Sequence, residues 1–173
     1  MKSNKSYFMT HTFTLSFCFL LLVSIANAQH TGLTFQDADK QGLTNAHLDS
    51  IYKSAVHVDT SQAVFKSEKE QKALGDAYIQ LLQDFGKFLA QNNFKWDKPT
   101  KCFNRVYFSS DGTIDYFIYN FLNQNVRAED RLSVEKQAEF NRLLNQFIQD
   151  YKFPLTATTK FAQCSPTTYM PKE

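Results

Sequence analysis

The chain has 173 residues, 19 Lys+Arg against 17 Asp+Glu, 43% hydrophobic and 15% aromatic residues, and three cysteines. Lys2 and Lys5 fall in an N-terminal segment without acidic residues, so the remainder carries a formal charge near zero. That balance argues against a nucleic-acid partner, which needs a clustered basic face, and against strong electrostatic attachment to anionic lipid.

Residues 1–28 have the three parts of a secretory signal peptide. Lys2 and Lys5 precede an apolar run from Phe13 to Ile25, which closes on Ala26-Asn27-Ala28, the small-x-small pattern that signal peptidase accepts. The run is about 13 residues, short of the ~20 a helix needs to cross a bilayer. Cleavage is therefore favoured over an uncleaved anchor. Cys18 sits inside the run behind bulky Phe17 and does not suit a lipoprotein signal. The expected product begins at Gln29, has no stable membrane span and is periplasmic or secreted. Removing 28 of 173 residues leaves 145, enough for one domain with a core.

Residues 29–66 read as an N-terminal lead. Residues 29–42 are polar with two glycines and predict a loose segment; residues 43–57 predict a short helix, with Leu48, Ile51, Tyr52 and Ala55 at helical spacing and Thr44 or Asn45 as cap. An α+β domain is expected over 67–165. Ser67-x-x-Glu70 fits a capping box. Leu74, Tyr78, Leu81, Leu82, Phe85, Phe88 and Leu89 mark the apolar face of the helix that follows, with Asn92-Asn93 as a stop. Gly75 and Gly86 suggest close packing against a sheet.

Residues 102–108 and 113–121 are rich in aromatic and β-branched residues. Ser109-Ser110-Asp111-Gly112 between them predicts a hairpin turn, Gly112 supplying positive φ. Both faces of this hairpin are aromatic, so either the sheet is covered on both sides or one face is a contact surface. After a polar connection, a second amphipathic helix is predicted over 133–151, with Pro154 as its stop. Residues 155–163 predict a third strand. The tail, 166–173, is expected to be irregular.

The second and third strands are joined through a helix. A right-handed crossover makes them parallel, and they can flank the first strand. The expected architecture is a two-layer α+β sandwich: a small, mainly antiparallel three-stranded sheet packed on two amphipathic helices. Cys102 and Cys164 remain after signal removal, and an even count in an exported chain favours a disulfide over two free thiols. Closing its loop of about 62 residues would be worth about 4 kcal/mol in the chain-entropy picture.

The run RVYFSSDGTIDYFIYNF, with Asp111-Gly112 at its turn, and the helix end Tyr151-Lys152-Phe153-Pro154 resemble the C-terminal domain of TonB-type energy transducers over roughly residues 68–165. The resemblance implies partner binding by pairing an extended segment with a sheet edge, here at 155–163. Those transducers carry a membrane anchor and a long Pro-rich spacer; this chain has a cleavable-looking signal and four scattered prolines, which argues against energy transduction. The FAQCSP ending also resembles small secreted proteins of Gram-negative bacteria.

Motifs for chemistry are sparse. His47 and His57 stand ten residues apart, nearly three helical turns, so one ion cannot meet both on a straight helix; His57-x-Asp59 reads as surface. Asp111 to Asp115 lacks the alternating carboxylates of a calcium loop and reads as a turn. Cys102 as a nucleophile would need a histidine base from 45 or more residues away. No catalytic, cofactor-binding or metal-ligating residue is assigned, and no cofactor is expected. The aromatic residues Trp96, Tyr107, Phe117, Tyr119 and Phe121 stand out as core, as a protein contact surface or as a pocket lining. The favoured function is an exported, non-enzymatic protein-binding module, its partner another envelope protein. An enzyme without a local signature and a carrier of a small apolar ligand are the alternatives.

Overall fold

A computed structural model describes residues 30–122, 127 and 131–171. The signal segment and Gln29 lie outside the described residues. The elements run β1 (Thr31–Thr34), α1 (Phe35–Lys40), α2 (Asn45–Ile51), β2 (Lys53–Ser54), α3 (Glu68–Gln91), β3 (Thr100–Phe108), β4 (Ile114–Phe121), α4 (Val134–Asp150) and β5 (Phe161–Tyr169). The strands form one sheet in the order β1-β4-β3-β5-β2.

Local chemistry sets the long elements. The Ser67 hydroxyl accepts from the Glu70 N–H while the Glu70 carboxylate accepts from the Ser67 N–H, so the predicted capping box starts α3. Asn92 caps its end, and Asn93 follows with φ 62°. Ser133 caps α4. Gly112 turns the β3–β4 hairpin with φ 86°, and its missing Cβ leaves room for the Phe153 carbonyl, 2.4 Å from where that carbon would lie.

The order β4-β3-β5, with β3 antiparallel to both neighbours, is the strand arrangement that the crossover rule predicts. The sheet as a whole is different from the expected three antiparallel strands on two helices. Among the described residues it has five strands and is mixed: β1 runs parallel to β4 and β2 parallel to β5, and four α-helices accompany it. The lead is responsible. Residues 31–34 form a strand too short to show a period, and its partner β4 is more than 80 residues away. The loose segment expected at 29–42 therefore contains β1 and α1.

Both faces of the sheet are covered. Phe117, Tyr119 and Phe121 join Phe85, Leu81, Phe140, Leu144 and Ile148 of α3 and α4. Tyr107 and Ile118 pack instead with Leu33, Ala38, Leu48 and Tyr52 from the lead. A bulge between Tyr107 and Phe108 makes Asp115 the extra residue of β4. It places Ile114 among the α3–α4 core and leaves the Asp115 carboxylate against Tyr52 of the lead.

The third strand is displaced from its predicted place. Residues 155–160 are irregular and β5 runs from 161 to 169, through Pro166 and into the expected tail. Proline is admissible there because its nitrogen faces away from β3, on the outer side of the strand.

Candidate functional site

The two edges of the sheet are treated in opposite ways. At β1, Asn145 of α4 acts as a substitute strand: its Oδ1 accepts from the Gly32 N–H and its Nδ2 donates to the Gly32 carbonyl, both at 2.9 Å. Gly32 permits this approach, since a Cβ there would lie 2.8 Å from Leu144. The outward backbone groups of Gly32 are thereby taken, and α4 lies over that edge.

The outer edge of β5 is covered only at its start. Lys53 and Ala55 donate to the carbonyls of Lys160 and Ala162, so even-numbered positions of β5 present their backbone groups outward. Beyond Ala162 these are Cys164, Pro166 and Thr168. Gln163 Nε2 donates to the Cys164 carbonyl at 3.1 Å, and Pro166 has no N–H. Among the described residues, the outward N–H groups of Cys164 and Thr168 and the outward carbonyls of Pro166 and Thr168 have no backbone partner. The open edge expected at 155–163 therefore lies further along among the described residues, at 164–168.

Two hollows flank this edge. A polar cleft of about 760 Å³ borders its start, lined by Lys53, His57, Lys66, Arg105, Gln163 and Cys164 among others. Arg105 is held by Asn45 and Asp49. His57 and Cys164 share the cleft but no hydrogen bond joins them; His57 Nδ1 accepts instead from the Asp59 N–H at 3.0 Å. The second hollow is an apolar groove of about 530 Å³ beside the far half of β5. Ile79, Leu82 and Gly86 of α3 form one wall, Thr168 and Met170 the other, and Trp96 lines it too. Ile79 and Met170 are 56% and 59% exposed.

The five aromatic residues proposed from sequence as a contact surface separate here. Tyr107, Phe117, Tyr119 and Phe121 are buried in the core, on the two faces of the sheet, and cannot touch a partner. Trp96 alone reaches the groove, where its ring stacks on Tyr169 with centroids 4.7 Å apart. Sequence reasoning missed Ile79, Met170 and Thr168. Ile79 lies off the main apolar stripe of α3, a signal that could have marked it. Gly75 and Gly86 do not pack against a sheet; a Cβ on either meets nothing within 4 Å.

The expected disulfide is not formed: both cysteines are free. Cys102 stands opposite Thr167 and Cys164 opposite Arg105, three positions apart, so their side chains leave opposite faces of the sheet. The even cysteine count favoured a pair, but β5 starts at Phe161 and continues past Cys164 to Tyr169, which sets Cys164 opposite Arg105 rather than Cys102. Burial pushes the Cys102 thiol up to about 12. Iodoacetamide applied to the native protein is expected to modify Cys164 and spare Cys102 until denaturant is added. Peptide mapping reads the outcome, and equal labelling of both thiols would contradict the register.

The remaining candidates have local explanations. Asp111 accepts from the Thr113 N–H, the Thr113 hydroxyl and Lys152, so it serves the turn, while Asp115 is directed inward. Among the described residues, no three His, Cys, Asp or Glu side chains are grouped to hold a metal, and no helix is long and apolar enough to cross a membrane. No known family, curated protein or solved structure matches this chain.

Proposed function

We propose that this protein is an exported, non-enzymatic binding module that holds an extended segment of another envelope protein against the outer edge of β5. The observation that carries this reading is the asymmetry of the sheet. One edge is closed by Asn145, while the other keeps outward N–H and C=O groups over residues 164–168. An extended polypeptide supplies donors and acceptors at the matching spacing. The signal-like residues 1–28 support an envelope partner.

Thr168→Pro tests the reading. Thr168 is exposed and its N–H points outward, so the substitution removes an edge donor without touching the β3–β5 ladder, as Pro166 already does two residues earlier. The chain from Gln29 onward, used as bait in envelope extract, is expected to retain a defined partner. Thr168→Pro should reduce recovery by about tenfold, a loss in the range of a well-placed interface contact, with the melting curve nearly unchanged. Recovery of no partner, or equal recovery by the variant, refutes strand addition.

A further inference from the structure

We infer that the groove beside β5 reads the side chains of the bound segment, seating apolar residues at alternate positions over Gly86 and along Ile79 and Leu82, with an acidic group of the segment at Lys95. This rests on the edge-binding reading and adds the sequence class that the edge accepts. Three observations lead to it. The groove and the open edge are continuous, because Thr168, whose backbone groups point outward, is itself part of the groove wall. An occupant of the groove therefore meets a peptide backbone as well as an apolar wall, which suits a polypeptide better than a lipid or another small apolar molecule.

Dimensions agree with a strand. From Ile79 to Ala90, α3 extends about 16 Å at its usual rise per residue. Side chains on one face of a strand repeat about every 6.8 Å. Two or three side chains of an added strand can then fall along α3. Gly86 lies in the middle of this length, and the space above it is empty for at least 4 Å. With no side chain of its own, Gly86 leaves space in the wall that a large apolar side chain suits. Finally, Lys95 is the one charged residue of the groove lining, and among the described residues it has no ion-pair partner. A carboxylate on the segment complements it.

Phage-displayed random octapeptides, selected on the chain from Gln29 onward, supply the probe. Selected sequences are expected to alternate apolar residues and to carry an acidic residue near one end. Synthetic copies should bind Gly86→Phe and Gly86→Leu at least about tenfold more weakly, as expected for a filled central pocket. Lys95→Glu should weaken them about threefold, in the range of an exposed charge contact. Gly75→Phe, on the same helix outside the groove, controls for loss of helix stability, and melting curves confirm that each variant folds. Peptides that lose affinity for Thr168→Pro but keep it for both Gly86 variants overturn this inference and leave edge binding standing. Peptides lost with Gly86 but kept with Thr168→Pro overturn both, because the groove then binds without strand addition. Selection of no peptide, or of sequences without alternation, also overturns the inference.

Discussion

Replacing Asp115 with alanine is expected to cost about 3 kcal/mol of folding stability, the range for removing one partner of a buried, hydrogen-bonded charge. The carboxylate is almost fully buried and accepts from three parts of the chain. Tyr52 Oη donates at 2.7 Å, Ser109 Oγ at 2.8 and 2.9 Å, and Lys160 Nζ at 2.8 Å. Lys160 also lies 5.3 Å from the centre of the Tyr52 ring. The lead, the hairpin and the segment before β5 therefore meet at this one side chain. Its loss leaves the Tyr52 and Ser109 hydroxyls without an acceptor, whereas half-exposed Lys160 can turn to water. Removing only the Tyr52 hydroxyl, as phenylalanine, should cost about 1 kcal/mol. Urea unfolding measures both, and the double variant should show a coupling of about 1 kcal/mol, as expected for residues in direct contact. A loss below that for Asp115→Ala would show that the cluster does not hold the lead in place.

The second large effect is alkaline unfolding. Tyr52, Tyr78, Tyr107, Tyr119 and Tyr169 are nearly fully buried, and burial raises each phenol above its ordinary value, Tyr107 to about 12. A neighbouring carboxylate, Asp115, adds to the rise at Tyr52. The native state therefore keeps these protons at a pH where the unfolded chain releases them. Their contribution is complete below the unfolded value near 10 and is lost as pH rises from there toward the folded values. Each group removes about 1.4 kcal/mol per pH unit in that window. Five together exhaust the ~5–15 kcal/mol of an ordinary domain within roughly one to two units. A cooperative transition between about pH 10.5 and 12.5 is expected, in which tyrosinate absorbance and circular dichroism change together. Gradual tyrosinate formation with the fold intact through about pH 12 would contradict this burial.

The acid side has the opposite sign and less force. Asp37, Glu70, Asp84 and Asp111 are lowered by cap hydrogen bonds and by lysine partners, so their contribution is present above about pH 4 and lost below it. All four lie at the surface, where solvent screens them. The profile of stability against pH should be lopsided, falling gently in acid and steeply in base.

The parts of the fold legible in the sequence are those specified by neighbours along the chain. Ser67 and Glu70 sit three residues apart and announce α3; Gly112 between two aromatic runs announces the hairpin. Parts specified at a distance were not legible. Thr31–Thr34 becomes a strand because β4 and Asn145 satisfy its backbone, and nothing in four residues encodes that. Pro166 reads locally as part of an irregular tail, although its nitrogen lies on the outer side of β5, where the β3–β5 ladder needs no donor. The strand consequently runs past the expected end to Tyr169, and this register separates Cys102 from Cys164, which the even cysteine count alone would have joined. Among the site residues, Trp96 was legible as an unusual aromatic residue. Its four companions were core residues, because aromatic runs on both sides of a strand describe a sheet buried on both faces as well as they describe a binding surface.

The Asn145 bracket on Gly32 has a consequence for stoichiometry. A sheet with two open edges can be extended from both, and copies can then stack head to tail without limit. Here growth can proceed in one direction only. A chain that docks on β5 completes a six-stranded sheet, and nothing can continue from the β1 side. Two copies meeting through β5 would likewise make a closed pair with both outer rims sealed. Self-association of this protein through β5 therefore stops at the pair, and raising the concentration lengthens no filament of its own copies.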